Sequence, residues 1–173
     1  MIIPRSNYKM IFHQVSPDSF IDNKAIDYIE SFIEKMIVKL DFSSYSKLKK
    51  SVKHISSYLY KGGEVFEERW MSRSSEDVAR KQKFGVNGIY THFEYGSLLM
   101  VNPSAVKKLL KAKANVNVDE SFIAYLAYIL QFAIGEWMHD ANDIKKKTTK
   151  RRVLLEHVVD TTGKKTTKWT NDV

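Results

Sequence analysis

Apolar residues recur at three- and four-residue spacing along most of this chain, and the breaks between such runs fall in a repeating order. Ala25, Ile29, Phe32, Ile33, Met36, Ile37 and Leu40 form one such stripe, the spacing of side chains that share a helix face, and Asp22 is suited to cap its start. A shorter helix, about Asn7–Gln14, precedes it and stops where Pro17 disfavours helical geometry at Ser16. The polar run SSYSK ends or breaks the long helix. A third helix is predicted over about Leu48–Tyr60, with Val52, Ile55 and Leu59 on one face and Gly62 and Gly63 to stop it. A fourth, strongly charged helix, about Glu64–Gln82, carries Val65, Phe66, Trp70 and Val78. Between Lys83 and Asn102, Gly85, Gly88 and Gly96 alternate with aromatics, which suits a connector packed on the surface better than a loose linker. Pro103 then fits a first helical turn, and a short helix Ser104–Ala112, a loop, a long helix Ser121–Lys146, a basic turn and a short helix Val153–Asp160 follow.

The long second-half helix is apolar on nearly every side, so more than one neighbour must bury it. Gln131, Gly135 and Glu136 interrupt it, and the run Phe122–Leu130 is too short to cross a membrane. The first ten residues lack the layout of a signal peptide; a soluble protein is expected. At 43% hydrophobic residues the chain can form a core, and a net charge of +8 with a pI near 9.5 favours a polyanionic partner. With no cysteine, disulfides and thiolate chemistry are excluded. The densest cationic feature, KKKTTKRR (Lys145–Arg152), leaves the long helix where it would present charge to phosphate. Within it, Lys145–Lys147 are expected to be an ordinary solvated helix end.

Short helix, loop, long helix, loop, short helix occurs twice, and this plan resembles the histone fold. The residues carry the likeness further. VSPDSFIDNKAIDYIESFIEKMI resembles the first loop and central helix of a histone 2B-type protein, and GGEVFEERWMSRSSEDVARK that family's extra C-terminal helix. AVKKLLKA, YLAYILQFAIGEW and KRRVLLEH resemble the first helix, central helix and second loop of a histone 2A-type protein. In this order the units resemble the fused histone doublets of Marseillevirus-like giant viruses. The resemblance implies an all-α chain of two tandem histone folds that form an intramolecular handshake heterodimer. The expected units are 1–82 (2B-type fold), 83–103 (connector), 104–160 (2A-type fold) and 161–173 (short tail). Neither unit can bury its central helix alone, so mutual crossing of the two long helices is expected.

Several positions depart from the family. The first unit is short between Leu40 and Val52, basic N-terminal tails are missing, and the C-terminal docking segment is short. Gln131 and His139 replace acids of the 2A-type acidic patch while Glu136 keeps one. Lys164 and Lys165 replace expected acids. Asn117 and Ala105 stand where arginines are common.

From the head-to-tail arrangement of that fold, Phe20–Lys24 is expected to adjoin Thr149–Arg152, and Lys47–Ser51 to adjoin Lys113–Val118. Arg5, Lys9, Lys107 and Lys108 on the two short first helices would make a third contact. The implied DNA-binding residues are Arg152, which matches the family's minor-groove arginine, with Arg151, Lys150, Thr149, Lys24, Asn23, Lys107, Lys108, Lys113, Lys49, Lys50, Lys9 and Arg5. Helix N-termini and cations would hold phosphate without reading bases. Tyr45, Leu48 and Val52 are expected near a four-helix contact with a histone four/three-type partner, itself a doublet or separate histones. The resemblance implies a nucleosome-like assembly with two copies of this chain, no membrane partner, and a place in the virion and in the host nucleus or viral factory.

Other chemistry is weakly signalled. Glu136 and His139 form one Glu-x-x-His pair, but a di-iron site needs a second pair and more carboxylates. His157 is expected to be structural. No phosphate-cradling glycine loop or nucleophile motif occurs, so neither enzymatic activity, cofactor nor metal is expected. The competing expectations are a histone-fold subunit of a transcription regulator and an interaction scaffold that does not bind DNA.

Overall fold

A computed structural model describes residues 3–70, 99–115, 118, 120–162 and 169. The second half of the predicted helix Glu64–Gln82, most of the connector 83–103, Asn117, and Lys164 and Lys165 of the tail lie outside the described residues. Those described are mostly helical. In chain order they form α1 (Arg5–Val15), β1 (Phe20–Ile21), α2 (Asn23–Ile37), α3 (Tyr45–Ile55), α4 (Ser57–Trp70), α5 (Pro103–Leu109), α6 (Glu120–Lys146), β2 (Arg152–Val153) and α7 (Leu155–Thr162). A π-helical turn, Leu110–Ala114, extends α5 and ends at Asn115 in the left-handed region (φ 50°), where asparagine is better tolerated than most residues.

Side-chain caps set most helix starts. Asp22 accepts a hydrogen bond from the Lys24 N–H (3.3 Å), Ser44 from Lys47 (3.2 Å) and Asn102 from Ser104 (2.9 Å), with Pro103 in the first turn of α5. One break falls elsewhere than the glycines predict. The α3–α4 boundary is Ser56, whose backbone is extended and whose Oγ accepts from the Tyr58 N–H at 3.1 Å. That local bond gives the chain an alternative to the helical ladder. Gly62 and Gly63 lie inside α4, and their role is proximity rather than termination. A Cβ on Gly62 would stand 3.1 Å from Phe132 Cβ, and one on Gly63 2.8 Å from Tyr125 Oη, both on α6.

This close approach explains how α6 is covered. From Ile123 to Leu130 every side chain is buried, and Phe132, Ala133, Ile134, Trp137, Met138 and Ala141 continue the interior. Its most extensive neighbour is α4, with α7, α1 and α5 on other sides. The first half's helix α2 is only 15 residues long against 27 in α6. It meets α6 through Tyr28 and Phe32, whose rings lie 6.3 and 4.9 Å from Trp137. Trp169 packs into the same cluster, 4.9 Å from Phe32 and 5.1 Å from Trp137. Coverage of α6 is therefore shared among several helices instead of falling to one long partner.

Buried polar groups bond across elements, and one such bond, Tyr58 to Asp140, joins the two halves. Gln131 accepts from the backbone N–H groups of Met100 and Val101 (3.0 Å for the latter). Tyr58 donates to Asp140 at 2.5 Å, and Tyr8 to Glu30, which also accepts from the Ile3 N–H at 3.2 Å.

Two outcomes test this packing. Gly62→Leu places a branched side chain against Phe132 and should lower stability by about 1–3 kcal/mol despite better helix propensity, seen as a lower midpoint in thermal denaturation followed by circular dichroism. Burial raises the phenol pKa values of Tyr8, Tyr45, Tyr58 and Tyr125 above the ordinary 10.0, with neighbouring carboxylates adding to it. A raised folded value means the stabilisation is complete below pH 10 and is lost as pH climbs beyond it. Tyrosinate absorbance and loss of helicity should therefore rise together in alkali. Phenol ionisation near pH 10 in a still helical protein would contradict this.

Candidate nucleic-acid interface

Two loops 132 residues apart in sequence are joined by backbone. β1 and β2 pair in parallel with Phe20 opposite Arg152 and Ile21 opposite Val153, and the Asp22 N–H donates to Val153 O at 2.8 Å. Alternate strand residues face opposite sides. Ile21 and Val153 are accordingly buried, while Phe20 and Arg152 face solvent. The pairing thus brings Asn23 and Lys24, at the start of α2, to Thr149, Lys150, Arg151 and Arg152, and all six side chains are exposed.

The basic turn has a defined shape. Thr148 Oγ1 donates to Lys145 O (2.7 Å) and accepts from the Lys150 N–H (3.2 Å), bending the chain at the end of α6. After β2, buried His157 accepts from the Leu154 N–H through Nδ1 at 2.9 Å, fixing the entry to α7. Beneath the turn, Lys145 is not a solvated helix end. It is buried, and its ammonium donates to Ser19 Oγ at 2.8 Å, directly before β1. Lys146 and Lys147 are exposed. The periodicity of α6 carries Lys145 inward on the face of Met138 and Ala141, seven and four residues earlier; that spacing is the signal in the sequence.

Acidic groups accompany several of the nominated cations. Arg152 Nη1 lies 3.9 Å from Asp22. Arg5 holds Asp27 through two hydrogen bonds, 2.9 and 2.7 Å, and these keep the Asp27 carboxyl below its ordinary pKa. Lys49 pairs with Glu67 at 2.5 Å and Lys113 with Glu34 at 3.5 Å. Exposed pairs of this kind contribute little stability and can exchange a carboxylate for phosphate. Lys9, Lys24, Lys50, Lys107 and Lys108 are exposed. The run-in to α5 is drawn to α1 by Asn7 Nδ2, which donates to Met100 O at 2.9 Å. The expected juxtaposition of Lys47–Ser51 with Lys113–Val118 falls partly outside the described residues; the π-helical turn packs on α2, with Lys113 paired to Glu34, and Lys49 turns to α4.

The nominated partner surface needs correction. Leu48 and Val52 are fully buried within this chain, and half-buried Tyr45 stacks on Phe122 (6.3 Å) and meets Tyr125 edge-on (5.3 Å). After the break at residues 38–44, α3 packs on α4, and these apolar side chains serve the internal core. Ala105, too, is buried. Elsewhere, His139, Asp140 and Asp143 offer ligand atoms within 4.8 Å of one another. His139 and Asp143 are exposed and Asp140 already accepts from Tyr58, an arrangement that ordinary surface ion pairing explains.

No protein-family model and no curated protein matches this chain.

Removing the Ser19 hydroxyl would leave the Lys145 ammonium without its bond. Ser19→Ala is expected to cost about 1–3 kcal/mol, measured by denaturant unfolding; an unchanged midpoint would show that water replaces the hydroxyl at no cost.

Proposed function

We propose that the chain is an architectural DNA-packaging protein, a fused pair of histone-like folds that grips duplex DNA largely without regard to sequence. The parallel pairing of residues 20–21 with 152–153 carries this reading. It gathers Lys150, Arg151, Arg152 and Lys24 on one exposed surface beside the first turn of α2, where backbone N–H groups and cations together suit phosphate. The order of short and long helices in both halves and the net charge of +8 support the same reading.

On this reading the chain resembles the viral histone doublets and assembles with a histone four/three-type partner into a nucleosome-like particle, in the virion and the infected cell. The contact with that partner is made by surfaces other than Leu48 and Val52, which are spent inside the chain. The second reading, an interaction scaffold of the same fold, draws on exposed Leu155 and Val159, one turn apart on α7.

Salt dependence separates the two. Several phosphate contacts require log K to fall steeply with log salt, with a slope of roughly −0.9 per phosphate on duplex DNA. The Lys150→Ala/Arg151→Ala/Arg152→Ala variant should flatten that slope by about 2–3 units while keeping its helical content. An unchanged slope removes this loop from the interface, and the absence of salt-dependent binding by the wild-type chain favours the scaffold.

A further inference from the structure

We propose that Phe20 is a wedge that inserts between base pairs of the bound DNA from the minor groove, unstacking a step and kinking the duplex. The inference rests on the DNA-binding reading above and adds to it a point of contact with the bases.

Phe20 is the most exposed of the large hydrophobic residues described, at 74%, and the only aromatic among the exposed ones. A scattered exposed apolar residue is ordinary; the position of this one is not. The residues on either side, Ser19 and Ile21, are buried. Ser19 is held by Lys145 at 2.8 Å, Ile21 lies opposite Val153 in the strand pair, and the next N–H, that of Asp22, is bonded to Val153 O. The backbone under the ring is thus fixed on both sides, and the ring is directed outward at small entropic cost on binding.

Its surroundings select the occupant. In the register of the pairing Phe20 stands opposite Arg152, itself exposed and followed around the turn by Arg151 and Lys150, with Lys24 at the start of α2. Asp18 and Asp22 are the acids on the same loop, so cations predominate. An exposed aromatic ring on a predominantly cationic loop is poorly suited to an apolar protein groove, whose core excludes charge. It suits a duplex, where phosphates take the cations and a base step takes the ring. Apolar wedges of this kind unstack base steps and bend DNA toward the major groove, and pyrimidine–purine steps yield most readily. The consequence is a preference for deformable steps at the contact, without hydrogen-bond readout of the bases.

The test uses the full chain and duplexes carrying 2-aminopurine, whose fluorescence is quenched by stacking, at a TA step or within a stiff A-tract. Binding of the wild-type chain should raise the fluorescence of the TA duplex more than that of the A-tract. Phe20→Ala, a change at an exposed position that leaves the core intact, should abolish the rise. It should also weaken binding by about fivefold or more, within the range seen when base-stacking aromatics are truncated, with an unchanged salt slope. Phe20→Trp should retain the rise. Steep salt-dependent binding by the wild-type chain with no fluorescence rise would overturn the wedge and leave the DNA reading standing. A rise that survives in Phe20→Ala would also overturn it, as would loss of self-association in that variant with unchanged fluorescence, which would assign the ring to a protein contact. No salt-dependent binding at all would remove both readings together.

Discussion

A 27-residue helix with apolar side chains around most of its circumference has no favourable orientation toward water, and the rest of the chain is arranged to cover α6. Fully burying a single large apolar side chain is worth about 1.5–3 kcal/mol, and α6 contributes an unbroken series of them from Ile123 to Leu130. No one neighbour can reach every side of a helix. The solution here is a close-packed contact with α4, made possible by two adjacent glycines, and flanking contacts from α1, α5, α7 and the aromatic cluster of α2. Glycine in a helix interior costs about 1 kcal/mol relative to alanine. At residues 62 and 63 the absence of a Cβ is what lets Phe132 and Tyr125 sit against the α4 backbone.

Covering α6 from both halves of the chain also determines where its end emerges. Ile11 and Val15 of α1 lie against Gly135, so the loop after α1 is delivered to the last turns of α6. There Lys145 bonds Ser19 and β1 pairs with β2. The basic turn is consequently anchored at its base by interior contacts, although its own side chains are in solvent. A rigid base matters for the proposed function, because cations held in place lose less conformational freedom when phosphate arrives.

The sequence made most of the helices legible, because the three- and four-residue spacing in α2 and α6, the cap at Asp22 and the first-turn proline Pro103 are local signals. The juxtaposition of residues 20–24 with 149–152 is legible only through resemblance, since no local pattern reports a pairing across 132 residues. Where sequence and structure differ, the cause is shared. Residue type alone marks Gly62 and Gly63 as a helix stop and Lys145 as solvated, whereas each is decided by a tertiary neighbour: Phe132 and Tyr125 in one case, Ser19 in the other. Leu48 and Val52 were correctly apolar, but nothing local tells an internal core from a partner surface. Their burial follows from the break at residues 38–44, after which α3 packs on α4.

That break also bears on how such a chain can assemble. Where α2 stops at Ile37, the first half continues in α3, which packs on α4, and in α4, which covers α6. Apolar side chains committed to the interior are unavailable to a partner, so the shortened half trades external surface for internal closure. The charged loop escapes this trade, because its anchors are buried while Phe20, Arg152, Arg151 and Lys150 are not. In the proposed function, the cations offered to a polyanion are thereby positioned by the interior packing of one chain, and a protein partner would be met on faces that the packing of α6 leaves uncovered.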